Sequence, residues 1–231
     1  MIAGLSLVAC GSSDESIGIY DVEGWATLRT QGGGTISYMS GFDGTNDYQV
    51  PFAFVGALTE EDVFSVGDET VASVVTTLPV NSSQIPPGIT VTAVLIKSNG
   101  VGSTTIEGTV RGTTYTANLT VNGYTPEDVI LGTERYNNPA NANADLRRSC
   151  ASCHDALQAH STAFLADLTD AEILRTAVEG VGISIRDPET GEVREYMPNG
   201  GVHMWDVTSE ERVGIAAYLR SRSPLYQLPT E

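Results

Sequence analysis

Cys150-Ala151-Ser152-Cys153-His154 places two thiols and an imidazole side by side in the chain. Side chains three apart on a helical turn share one side. Both sulfurs can therefore form thioethers with the two vinyl groups of one haem, while the adjacent His154 lies beneath the iron. Two rival chemistries use part of this set. A redox dithiol expects a strand–helix–strand setting and does not need the histidine. A zinc site needs further ligands, and no other cysteine is nearby. The expectation is one haem c per chain, with Cys150, Cys153 and His154 as its attachment and ligand residues.

Haem c is assembled on exported chains, and the other end of the sequence speaks to export. Met1 to Cys10 is a short apolar run ending in small residues and a cysteine, as the end of an export signal does. It is too short to span a bilayer. Leu7-Val8-Ala9-Cys10 resembles the bacterial lipobox, which implies cleavage before Cys10, lipidation of its sulfur and anchoring to a membrane. Several acyl chains on one cysteine hold stably where a single chain is marginal. Gly11, rather than an aspartate, follows the cysteine; by the same resemblance this points to the outer membrane of a bacterial envelope, facing the periplasm or the surface. A buried N-terminal apolar segment is the plainer alternative.

The elements that would carry this chemistry divide in two. From Ser16 to Tyr124 the chain is rich in Gly, Thr, Ser and Val, with short alternating runs between turn residues. Trp25–Arg29, Thr35–Met39 and Thr90–Ile96 read as strands. Thr105–Val110 and Thr114–Val121 read as a hairpin turning at Arg111-Gly112. The spacing predicts an antiparallel all-β sandwich, which by pattern alone is similar to bacterial immunoglobulin-like surface modules. After Thr125-Pro126-Glu127-Asp128 the pattern becomes helical. Thr169-Asp170-Ala171-Glu172 and Thr208-Ser209-Glu210-Glu211 each fit a capping box, in which hydroxyl and carboxylate satisfy exposed backbone donors reciprocally. The expected organisation is a signal remnant over 1–9, an anchor and linker over 10–15, the β-sandwich over 16–124 and a second domain over 125–231. Asp187-Pro188-Glu189-Thr190-Gly191-Glu192 fits no calcium loop and reads as a turn between two short segments.

Gly132 to Ser223 resembles a class I cytochrome c. The likeness rests on the order Cys150-x-x-Cys153-His154, a middle helix, Tyr196-Met197-Pro198, and a capped last helix ending Ala217-Tyr218-Leu219-Arg220-Ser221. It implies an all-α C-terminal domain, in which Gly132 and Tyr136 on the first helix pack against the last helix near Tyr218. It also implies that Met197 is the distal iron ligand, because the family's ligand is often a Met-Pro pair and a thioether favours ferrous iron. Met204 and His203 compete for that place. Phe164, Leu165, Leu168 and Ile173 are candidates for the apolar wall, and His160 is expected to be exposed rather than a ligand. A Gly-Pro pair, which in the family offers a carbonyl to the histidine ring, is absent after His154.

The formal charge is −17, with 14 acids and 3 bases over residues 1–132 and 15 acids and 9 bases over 133–231. No basic stripe exists to neutralise phosphates, so nucleic acid is excluded as a partner. The resemblance implies a membrane-anchored electron carrier rather than an enzyme, exchanging electrons with a dehydrogenase, an oxidase or another cytochrome, on its own or as a subunit of an oxidoreductase complex. Two alternatives remain at this stage. One is a peroxidase-like haem enzyme with an open distal site. The other is an adhesion or assembly module in which the haem is a link in a larger chain.

Overall fold

The computed structural model describes residues 29–30, 36–55, 58–80, 91–110, 112–138, 149–154, 165–186, 193–196 and 205–222. Ten strands and four helical segments lie among them. In chain order they are β1 (Arg29–Thr30), β2 (Ile36–Phe42), β3 (Gln49–Val55), β4 (Val63–Val66), β5 (Ala72–Val80), β6 (Val91–Ser98), β7 (Gly102–Val110), β8 (Thr113–Gly123), α1 (Pro126–Asn137), α2 (Ala151–His154), α3 (Asp170–Ala177), β9 (Ile183–Arg186), β10 (Val193–Tyr196) and α4 (Ser209–Ser221).

Period-two alternation builds the larger sheet. Along β7, Thr104, Ile106, Gly108 and Val110 are buried, whereas Ser103, Thr105 and Glu107 are exposed; along β8, Ala117, Leu119 and Val121 are buried. The two strands pair from Gly102↔Val121 to Val110↔Thr113. Gly112, at a φ of 76°, supplies the left-handed residue that their tight turn demands. β4 lies along the free side of β7, and the other side of β8 is shared. β1 takes its start in antiparallel register and β2 its end in parallel register, Ile36↔Ala117 to Phe42↔Gly123. β3, β6 and β5 make a second, antiparallel sheet with β6 at its centre. The sheets enclose Tyr38, Val50, Phe52, Val94, Ile96, Ile106, Leu119 and Val121. Tyr38 meets Phe52 edge-on at 5.1 Å, and Ser98 donates to Ser40 across the interior at 2.8 Å, so the buried hydroxyls satisfy each other.

Both halves of the expected fold need correction. The β part forms two sheets but is not wholly antiparallel, because β2 runs parallel to β8. The C-terminal part is not an all-α cytochrome c domain. Its described helices are short, and β9 pairs antiparallel with β10, from Ile183↔Tyr196 to Arg186↔Val193, between α3 and α4. The physical reason is local. Ile183-Ser184-Ile185-Arg186 alternates β-branched with polar residues, Val193-Arg194-Glu195-Tyr196 begins on a β-branched and ends on an aromatic residue, and turn-forming residues separate the two.

No linker separates the two parts. β8 ends at Gly123, Tyr124 donates its backbone N–H to Phe42 at 2.9 Å, and Thr125 caps α1 with Pro126 in the first turn. Thr125 and Asp128 form a reciprocal capping box, as do Thr169 with Glu172 on α3 and Thr208 with Glu211 on α4. The helices α1 and α4 cross with backbone against backbone. A Cβ on Gly132 would overlap the Gly214 carbonyl and lie 2.8 Å from the Tyr218 Cβ. Gly132→Ala is therefore expected to destabilise the protein by about 3 kcal/mol, because the helices must move apart to admit a methyl group. Chemical denaturation measures this. Ile130→Ala on the same helix, where the side chain is 68% exposed, should change stability by less than about 0.5 kcal/mol.

Candidate functional site

The Cys150–His154 segment is one helical turn held by local hydrogen bonds. His154 donates its backbone N–H to the Cys150 carbonyl at 2.9 Å. At the start of the turn, the Ser152 backbone N–H donates to Ser149 Oγ at 3.2 Å, and the Ser152 hydroxyl donates to the Ser149 carbonyl at 2.7 Å. Serine before a helical turn satisfies donors that would otherwise lack partners. This closes the backbone so that positions 150 and 153 fall on the same side of the turn.

Cys150 and Ala151 are half-buried and pack against an apolar cluster formed by Tyr136, Leu165, Leu168, Ile173, Val178, Ile215 and Leu219. Three of the four expected wall residues, Leu165, Leu168 and Ile173, are at most 5% exposed there. Phe164, the fourth, lies outside the described residues, as do His160, the candidate distal ligands Met197, Met204 and His203, the lipidation candidate Cys10 and the side chain of Cys153. The segment bearing the distal candidates starts after Tyr196, the end of β10, and finishes before Trp205. Trp205 packs on the same cluster as Cys150 and donates its backbone N–H to the Val178 carbonyl at 2.8 Å. Sequence reasoning missed Trp205; an indole three residues before the Thr208 cap was its available signal.

The packing implied for Gly132, Tyr136 and Tyr218 is present. Tyr136 and Tyr218 stand 4.9 Å apart, and the Arg222 guanidinium lies 4.8 Å from the first ring and 5.4 Å from the second. Arg135 Nε approaches Glu211 at 2.9 Å and ties α1 to α4, although its N–H is not aligned for a hydrogen bond with that carboxylate.

A polar cluster joins this region to the sheet. Arg220, with a side chain only 2% exposed, pairs through Nε with Asp170 Oδ1 at 2.6 Å. Its other nitrogens donate to the carbonyls of Met39 on β2 at 3.1 Å, Leu165 at 3.1 Å and Leu168 at 2.6 Å. The second oxygen of Asp170 accepts from Asn122 at 2.9 Å and from the Tyr124 hydroxyl at 2.7 Å. Burial, with the Asp170 carboxylate adding to it against the opposing pull of Arg220, pushes the Tyr124 phenol above the usual tyrosine value. None of these residues was singled out for this role by the sequence, since an arginine in the last turn of a helix reads as a solvated charge.

The donor set fits covalent haem on its proximal side. A thiol and an imidazole stand on one closed turn, the second cysteine is in the register that places it beside the first, and apolar side chains back the turn. Among the described residues no three His, Cys, Asp or Glu side chains gather closely enough to hold a metal ion by themselves. On the outer face of the larger sheet, Ser37, Asp68, Ser103, Thr105, Asn118 and Thr120 line an open polar depression of about 510 Å³; no residue expected to do chemistry lies in its wall.

The chain matches no protein-family model and no curated protein. Among solved structures it is similar to the cysteine protease inhibitor EhICP2 from Entamoeba histolytica, at 12% identity, covering 41% of this chain and 93% of that one, with a TM-score of 0.28. A likeness of that size carries no argument about what this chain does.

Proposed function

We propose that this chain carries one covalently attached haem c at Cys150 and Cys153, with His154 as an iron ligand, and passes single electrons between redox proteins. The observation that carries the reading is the closed turn from Cys150 to His154 set against an apolar cluster. When bound there, the haem supplies reversible one-electron chemistry at iron. The chain does the rest. Cys150 and Cys153 anchor the macrocycle edge, His154 offers a neutral imidazole, and Leu165, Leu168 and Ile173 keep water from the site, which favours the less charged iron state.

Met197 is the proposed distal ligand, with Met204 and His203 as the alternatives. Thioether ligation raises a haem potential, so Met197→Ala should lower it and abolish the weak methionine-to-iron absorption band of the oxidised protein, at about 695 nm for such ligation. An unchanged spectrum and potential would pass the role to Met204 or His203.

The proposed setting is a bacterial cell envelope with a lipid anchor on Cys10, and the proposed partners are a dehydrogenase, an oxidase or another cytochrome. The contact of Arg220 with both the sheet and the wall segment supports a shared role for the β part over that of a passenger. The reading is tested by maturing the chain in a cell competent for haem attachment. Added haem mass that survives denaturation, with ferrous visible bands on reduction, is expected; neither appearing would end the proposal. Carbon monoxide binding by the reduced protein at neutral pH would favour the open-site enzyme instead.

A further inference from the structure

We propose that the joint between the β part and the helical part is a binding site for one internal water molecule, held by Ser40 on β2 and Arg220 on α4. The water completes a hydrogen-bonded chain that runs from the second sheet to the last helix. The inference concerns the polypeptide alone and stands apart from the haem reading.

The place is a cavity of about 10 Å³ lined by Met39, Ser40, Gln49, Val50, Leu165 and Arg220. That is close to the space one water needs and too little for more. Cavities walled only by apolar groups stay dry. This wall includes two buried polar side chains, for Ser40 is 3% exposed and the Arg220 side chain 2%.

Each of the two brings a proton that the protein itself does not take up. A guanidinium has five N–H donors in a fixed fork. Arg220 directs its Nε proton to Asp170 Oδ1, its Nη1 protons to the Met39 and Leu165 carbonyls, and one Nη2 proton to the Leu168 carbonyl. The second Nη2 proton has no acceptor among the described residues. Ser40 enters its bond with Ser98 as the acceptor, at 2.8 Å; its own proton is left to be donated onward, and no described residue receives it. Buried donors are rarely left without a partner. Two donors on one small cavity call for a guest that accepts twice. Water has the lone pairs and the size. A cation is repelled by the guanidinium, and a halide ion is too large for the space and finds the charge of Arg220 already met by Asp170.

The water extends the reach of Arg220. Through the Met39 carbonyl Arg220 bonds to β2 in the larger sheet. Through the water it also joins Ser40, and Ser40 takes the proton of Ser98 at the end of β6 in the second sheet. Both sheets and α4 are then tied at one point.

A high-resolution crystal structure of the full chain tests the site. One ordered water is expected within about 3.2 Å of both Ser40 Oγ and Arg220 Nη2. An empty cavity, or a water in reach of only one of the two, overturns the proposal. Bromide soaked into the same crystal should leave the cavity without anomalous signal; bromide found there would make it an anion site and overturn the water. In solution, oxygen-17 relaxation dispersion counts waters held for longer than the molecule takes to tumble. Ser40→Thr keeps the acceptor for Ser98 and adds a methyl group that takes the space, so the count should fall by one with circular dichroism unchanged. An equal count in the folded variant overturns the proposal, and where the variant does not fold the parent crystal decides alone.

Discussion

Replacing Cys150 and Cys153 together by alanine is expected to remove covalent haem completely from protein matured in an attachment-competent cell. Thioether bonds are the only links in the proposed site that survive denaturation, so mass spectrometry of the unfolded chain reads them directly. Each single replacement leaves one sulfur in place. Cys150→Ala and Cys153→Ala should therefore keep some attached haem at reduced yield, with the visible bands of the reduced protein displaced because one vinyl group stays unsaturated. His154→Ala should affect the iron rather than the bonds to sulfur, shifting the spectrum and potential of whatever haem is attached. The same added mass in the double variant as in the parent would show that these sulfurs are not the attachment points. Ser152 offers a control: it is exposed on the same turn, and Ser152→Ala removes its short bond to Ser149 without touching either sulfur or the imidazole.

The second large effect concerns Arg220 and Asp170. Asp170→Asn leaves a guanidinium that is 2% exposed without its counter-charge. Breaking a buried pair from one side costs about 3–5 kcal/mol, because the remaining charge stays desolvated. Arg220→Met should cost a similar amount by a different route, removing the guanidinium donors of the Met39 and Leu168 carbonyls, each at about 1–3 kcal/mol where water cannot reach, while the Leu165 carbonyl keeps the Leu168 backbone N–H at 3.2 Å. Asp170, at 29% exposed, keeps its Asn122 and Tyr124 donors in that variant. The parent should unfold in one denaturant transition whether followed by far-ultraviolet circular dichroism, which reports the helices and sheets, or by Trp205 fluorescence, which reports the cluster. A loss below about 1 kcal/mol in both variants, or two well-separated transitions in the parent, would mean that the network is a surface contact and not a clamp.

Much of the fold was legible where the signal is local. Alternation located β2, β6, β7 and β8, and Thr169 and Thr208 marked the starts of α3 and α4 to the residue. The losses have physical causes. Pro51 and Pro79 argue against strands, yet β3 and β5 are the edges of their sheet, where a missing N–H is tolerated. β5 also carries a register shift between Val74 and Thr76 that breaks its periodicity. The parallel pairing of β2 with β8 joins residues far apart in the chain, which no local pattern encodes. β9 and β10 are too short for alternation to outweigh the surrounding turn residues, and that cost the all-α expectation its footing. At the candidate site, the turn at Cys150 was legible because five consecutive residues define it, whereas Arg220 acquires its meaning only from three carbonyls supplied by two distant segments.

The direct passage from β8 into α1 has a consequence for how this chain can vary in length. The last residues of the strand are fixed by their partners in β2, and the first turn of the helix is fixed by Thr125. One residue added at Gly123-Tyr124 would turn α1 by about 100° around its axis and swing the bare backbone at Gly132 off Gly214. Insertions and deletions at this joint should thus be tolerated far less well than substitutions, in the manner of two gears that cannot slip by a single tooth.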